Sequence, residues 1–274
     1  MTAKIHPLAC VDSRAELADD VEIGPFCLIG PDVKLGPGCI LDNHVTITGH
    51  STLGSHNRLF PYVAIGCEPQ DVGYKGAPTR VEIGDHNVFR EGVTVHRGAE
   101  KEDFITRIDH RNMFMSNAHV GHNCHVYNDV LIVNGVLLGG HVHVYDGAIV
   151  SGNTVVHHFT SVGTLSFVSG SSRVTVDMPP YMLAAGSDCL EIHMVNVVGL
   201  KRRGVPEKVI HLLKRAHRLL FRNYKPIELV KQLFEAELDG DVPVELNTLF
   251  EFILAQNRGV SGRGREAIRR AKAA

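Results

Sequence analysis

A mainly β fold is predicted: a parallel coil of six-residue repeats over residues 1–187, followed by an α-helical domain over residues 188–274. Three observations carry this. Apolar residues recur at every sixth position from Ile5 through Val11, Leu17, Ile23, Ile29, Leu35, Leu41, Ile47, Leu53 and Leu59 to Ile65. The period resumes at Ile83, Phe89 and Val95, and again from Ile108 to Val174. Beyond Asp177-Met178-Pro179-Pro180 the apolar spacing becomes helical and the charge changes sign: residues 1–200 hold 12 Lys+Arg against 21 Asp+Glu, and residues 201–274 hold 16 against 9.

Six residues are too few for a helix and leave room for a short strand and a corner, where glycine can take positive φ. Glycine follows several anchors (Gly24, Gly30, Gly36, Gly54, Gly66), and a small or β-branched residue such as Val21, Cys27, Val33 or Cys39 stands two positions before the next. That residue and the anchor share one face of an extended strand. Three such sides close one turn, so residues 18 apart stack. The 26 repeats make nearly nine turns, or about 40 Å of coil at roughly 4.8 Å per turn. Two stretches break the pattern and are read as inserted loops, residues 67–79 and 96–107. Prolines 179 and 180 cannot continue a buried strand and end the coil. A helix is expected from Leu190 to Arg203, and Pro206, Pro226 and Pro243 each stand at the start of a further one. The basic stretch from Val260 to Ala274 is expected to be mobile.

The 274-residue chain holds no apolar run of the roughly 18 residues that a membrane span needs, and its N-terminus carries no leader pattern. A cytoplasmic protein without stable membrane insertion is expected, and with a net charge of −2 no nucleic-acid partner. The six cysteines show no CxxC spacing, so free thiols are expected rather than a disulfide framework or a cysteine metal site.

The chemistry concentrates between Asn117 and His158, where His119, His122, His141, His157 and His158 ride on the repeat. Stacking at 18 places His122, Gly140 and His158 in one column. The residue next to His122 in that column has no side chain, which leaves a notch with a backbone N–H beside an imidazole. That is a candidate reaction centre. His125 and His143 also stack, on the outer surface, and read as solvent-facing or intersubunit groups.

The motifs NAHVGHNC (117–124), LGGHV (138–142), VVHHF (155–159), EPQDVGYKGAPT (68–79), VTVHRG (93–98), DMPPYMLAAG (177–186) and GLKRRG (199–204) resemble the acyl-carrier-protein-dependent UDP-N-acetylglucosamine O-acyltransferases of lipid A synthesis, over almost the whole chain. The resemblance implies a left-handed β-helix, a hand that the period itself does not show. It implies a homotrimer with the active site between neighbouring prisms, no metal and no cofactor. The expected reaction moves a 3-hydroxyacyl group from the phosphopantetheine of acyl carrier protein to the 3-hydroxyl of the UDP-sugar. By the same resemblance His122 is the general base and the Gly140 N–H the oxyanion donor. His119, His141, His157 and His158 line the donor and acceptor site, and Gln70 and Asp71 hold the sugar. Asn196, Arg202 and Arg203 reach the nucleotide and its phosphates, and Gly170 bounds the acyl-chain groove. The basic C-terminal region suits the acidic carrier protein.

The chain departs from the family pattern at Asn123, where an Asp commonly follows the base, at His158 (Gln), at Val198 (Glu) and at Gly73 (Lys), with Lys75 near enough to stand in for the last. These changes leave open N-acylation of a 3-amino UDP-sugar. A zinc hydratase on the same coil is the reading from another enzyme class, motivated by the histidines.

Overall fold

The computed structural model describes residues 3–266; residues 267–274, the end of the basic stretch, lie outside the described residues. Among these, 26 short strands from Lys4–Ile5 to Arg173–Val174 form the coil, one for each repeat. Consecutive strands fall in three different parallel sheets in rotation, so the body is a three-sided β-helix, and it is left-handed. Register is the 18-residue step: Met113 pairs with Leu131, His119 with Leu137 and His125 with His143.

The anchors point inward and pack on one another. Val120, Ile132, Leu138, Val144 and Val150 are completely buried, each contributing about 1.5–3 kcal/mol of burial free energy. Phe89 and Phe114 stack with centroids 4.9 Å apart along the axis. Cys27, Cys39 and Cys124 are buried free thiols, each bonded to a backbone carbonyl of the neighbouring coil.

The corners differ from the expectation. Left-handed φ falls three residues after the anchor, at His44, Tyr62, Asn117, Asn123, His141 and Phe159 among others, and seldom at glycine. Asn, Asp and His tolerate this region better than most side chains. The glycines directly after anchors serve close stacking instead. A β-carbon on Gly36 would lie 2.6 Å from the carbonyl carbon of Gly54.

Both expected loops are present, as residues 68–79 and 97–104; the strand after the second begins at Ile105, earlier than expected. Pairing skips them, His50 opposite Arg80 and Arg80 opposite Ile105. A buried asparagine ladder holds the register across the gaps: Asn57 Oδ1 accepts from the Asn87 N–H, Asn87 Oδ1 from the Asn112 N–H, and Asn112 Oδ1 from the Val130 N–H.

The prolines end the repeat without ending the first sheet. Met182–Ala185 adds a parallel strand and Glu191–Val195 returns antiparallel on it. The expected helix from Leu190 is therefore corrected: its first half is strand, where Ile192 and Val195 pack toward the core, and helix α1 spans Val197–Arg202. Asn196 caps it, its Oδ1 accepting from the Gly199 N–H. Helices α2 (Glu207–His217), α3 (Ile227–Glu237) and α4 (Val244–Asn257) each follow a proline, and α2 packs on both the returning strand and α4. No helix among the described residues is long and apolar enough to cross a membrane.

Candidate active site

Both loops leave the coil at the same edge, where the second sheet passes into the third, and His122, Gly140, His141, His157 and His158 occupy the three following steps of that edge. Loop residues and coil residues therefore meet in a cleft of about 610 Å³ lined by Gln70, Asp71, Val72, Lys101, His122, Gly139, Gly140, His141, His158, Phe159 and Glu266. A larger, open hollow near the N-terminal coils, about 750 Å³, holds surface ion pairs such as Lys4–Glu22, and its histidines, His6 and His44, belong to neither the column of His122 nor the cluster around it.

His122 and Gly140 touch as their spacing predicts. A β-carbon on Gly140 would lie 2.6 Å from both Nε2 and Cε1 of the imidazole. Among the described residues the Gly140 N–H donates to no backbone carbonyl. Gly121 keeps the approach open beneath it, since a β-carbon there would lie 2.9 Å from the Gly140 nitrogen. Burial pushes the pKa of His122 below its ordinary 6.5, opposed by the Nδ1 bond to Asn123 and by Asp71, and reinforced by His141 and Lys101. The imidazole is thus neutral near pH 7, as a base must be.

His141, only 2% exposed, meets His122 edge-on at 5.1 Å and stacks on Phe159 at 4.3 Å. Its Nδ1 bonds to Glu102 Oε2 at 2.9 Å, and its buried Nε2 has no partner among the described residues. His119 lies on the adjacent second-sheet face, its Nδ1 bonded to Thr94 Oγ1, and burial holds its pKa down to about 4. That face continues as a groove floored by Leu137 and Val155, both more than 40% exposed. Gly170 lies at the far side of it, on the edge between first and second sheets, over Gly152.

Asp71 pairs with Lys101 and accepts from the Gly73 N–H at 2.8 Å. Burial pushes its carboxyl up, and these two donors more than offset that, leaving it below the ordinary carboxylate value. Lys101 corrects the expectation for Lys75. A β-carbon on Gly73 would lie 4.0 Å from Lys101 Nζ, so the second loop delivers an ammonium where position 73 has no side chain. Lys101 and Glu102, in the inserted loop 96–107, and Gly121 and Gly139, in the motifs NAHVGHNC and LGGHV, were not singled out from the sequence; the polarity of that loop and the glycines of the two motifs were the available signals.

The stretch after α4 also departs from expectation. Its described part, to Glu266, is laid against the coil: Asp177 accepts from the Arg263 N–H, Arg265 donates to the carbonyls of His141 and Phe159, and Glu266 meets His158. Arg265 also covers His143, whose pKa burial pushes down to about 3; His143 is thus a packed group rather than a solvent-facing one. The guanidinium of Arg263 meets His157 at Nδ1. His157, His158 and Glu266 form the one cluster of metal-ligand types among the described residues, and that guanidinium sits within it. His119, His122 and His141, which with His157 and His158 make up the histidines that motivated the hydratase reading, are not part of the cluster.

Two groups of expected site residues stay outside the cleft of a single chain. Asn196 is 8% exposed, its amide engaged as the α1 cap and by the Leu165 carbonyl. Arg202 and Arg203 are exposed at the third edge, where Arg203 faces Asp129 at 3.8 Å.

A neutral, half-buried imidazole set against a glycine, beside an apolar groove, equips a hexapeptide-repeat coil for acyl transfer. Residues 14–49 match the bacterial transferase hexapeptide model and residues 177–261 the model of UDP-N-acetylglucosamine O-acyltransferase domain 2. The chain is 43% identical to the acyl-[acyl-carrier-protein]–UDP-N-acetylglucosamine O-acyltransferase of Syntrophobacter fumaroxidans, over 94% of this chain and 99% of that one, and 40% identical to the enzyme of the same name from Stutzerimonas stutzeri, over 94% and 98%. Solved UDP-N-acetylglucosamine acyltransferases superpose closely: that of Francisella novicida with a TM-score of 0.85 at 36% identity, covering 90% of each chain, and that of Campylobacter jejuni with 0.85 at 33%, covering 92% and 96%. The chain belongs to the UDP-N-acetylglucosamine O-acyltransferase family. It is an acyltransferase, and the N-acyl and hydratase alternatives find no support in these relatives.

Proposed function

We propose that the chain transfers a 3-hydroxyacyl group from the phosphopantetheine thioester of acyl carrier protein to the 3-hydroxyl of UDP-N-acetylglucosamine, the opening step of lipid A synthesis, with no cofactor of its own. The contact between His122 Nε2 and Gly140 carries the reading. His122 Nε2 takes the proton of the sugar hydroxyl as its oxygen attacks the thioester carbonyl. The Gly140 N–H donates to the resulting oxyanion, a contact of the kind worth roughly 3–4 kcal/mol. Collapse expels the carrier thiolate, which receives the proton from His122. Asp71 and Gln70 hold the sugar at the loop side of the cleft, with His141 and His158 opposite. The acyl chain lies past His119 along Leu137 and Val155 toward Gly170, and His157 borders the same step.

Arg202 and Arg203 stand on a different edge from His122. In a homotrimer one protomer's arginines reach the diphosphate held in its neighbour's cleft, and Arg is suited to that by its two parallel donors. The basic C-terminal region docks the acidic carrier protein, and the reaction takes place in the cytoplasm.

The test is incubation with 3-hydroxyacyl carrier protein and either UDP-N-acetylglucosamine or its 3-amino analogue, with product followed by mass spectrometry. O-acylated product, abolished in His122→Ala, supports the reading; product from the amino sugar alone, or a fully active His122→Ala, overturns it.

A further inference from the structure

The residue after the base is an amide whose four contacts determine which way it points. Asn123 is 3% exposed. Its Nδ2 donates to the Lys101 carbonyl at 2.8 Å and the Ala99 carbonyl at 3.4 Å, while its Oδ1 accepts from the Ala99 N–H at 2.8 Å. Turning the amide over would set its oxygen against two carbonyls and its NH₂ against an N–H, so the orientation is fixed by the loop. The same Oδ1 lies 2.9 Å from His122 Nδ1. An amide oxygen can only accept, so Nδ1 must carry the proton, and the lone pair of the neutral ring is on Nε2, the atom beside Gly140. The Asn123 N–H is itself held, by Thr106 Oγ1 at 2.9 Å.

We propose that Asn123 is a positioning residue specific to this chain's second loop: its amide locks His122 in the tautomer with Nε2 free and docks residues 99–101, which places Lys101 against Asp71. A carboxylate cannot do both tasks here, because one oxygen would face the carbonyls of Ala99 and Lys101 with nothing to donate. The proposal rests on His122 being the base. Asn123→Asp, although it installs the residue common at this position in the family, is therefore a damaging change.

The groups facing His122 are Asp71 and Lys101 from the two loops, His119 from its own coil and His141 from the next. Adding a carboxylate at Nδ1 favours the imidazolium, so the acid limb of kcat/KM moves to higher pH in Asn123→Asp. The variant is expected to lose about ten- to a hundredfold in kcat/KM at neutral pH, with a raised KM for the sugar as the Lys101 segment loosens. Asn123→Ala is expected to lose kcat without the alkaline shift. Wild-type kcat/KM and an unmoved acid limb in Asn123→Asp would overturn the proposal. A readout independent of activity and of variant folding is the imidazole 15N spectrum of the unmodified protein above the histidine pKa. Protonated Nδ1 on His122 is expected, and protonated Nε2 refutes the clamp. A fully active His122→Ala would instead refute the base assignment, so the two failures are distinct.

Discussion

A β-carbon placed on Gly140 would lie 2.6 Å from Nε2 of His122, one coil away. No real β-carbon makes such a contact, so the smallest possible side chain must displace the imidazole or the backbone N–H beside it. Gly140→Ala is expected to lower kcat by about a hundredfold or more while the coil stays folded, as steady-state rates and thermal melts would report. A rate within twofold of wild type would mean that His122 is not the base and the Gly140 N–H not the oxyanion donor.

The base must be neutral, and burial sets its pKa below 6.5. Activity is therefore retained below pH 6.5 and lost as pH falls through the depressed value. Asp71 opposes that depression, so Asp71→Asn moves the acid limb of kcat/KM to lower pH. A limb above 6.5 in the wild-type profile would contradict the environment described for His122.

His119 gives the fold its own pH dependence. Its pKa in the folded chain is about 4 against 6.5 when exposed, so the unfolded state binds the proton first. Stability is complete above pH 6.5 and declines as pH falls from there toward 4. Thermal melts across that window should show a decline that is smaller in His119→Asn.

Lys101 is the cation paired with Asp71 in the cleft. Lys101→Met leaves the carbonyl bonded to Asn123 in place and removes only the ammonium. The KM for the nucleotide sugar is expected to rise by about tenfold, the worth of one charge-assisted contact, with little change in the KM for the acyl carrier. Equal changes in both would argue for a structural role.

Phe114 is fully buried and stacks on Phe89 in the centre of the prism. Phe114→Ala is expected to cost about 3–5 kcal/mol of unfolding free energy, measured by denaturant melts.

The strands were legible because each repeat states its anchor, and the 26 anchors correspond one to one with the 26 coil strands. The His122–Gly140 contact was legible for the same reason, being one 18-residue step. Contacts that cross from irregular loops follow no period: Lys101 to Asp71, Asn123 to Ala99 and Arg265 to His141 join segments whose spacing along the chain carries no geometric message. The strand at Glu191–Val195 was misread as helix because it continues a sheet from outside the repeat. The corner glycines were misread because they answer to the coil stacked on them, not to their own φ.

The two loops, His122, Gly140 and His158 leave one edge on five successive steps. Their separations along the axis are thus whole multiples of about 4.8 Å, and the coil behaves as a ratchet with fixed teeth. Lengthening a loop can reshape the sugar pocket without moving the base, whereas changing the distance from base to oxyanion donor would require gaining or losing an entire turn. Substrate range in such an enzyme is free to drift at the corners, while the geometry of the reaction can change only in discrete jumps.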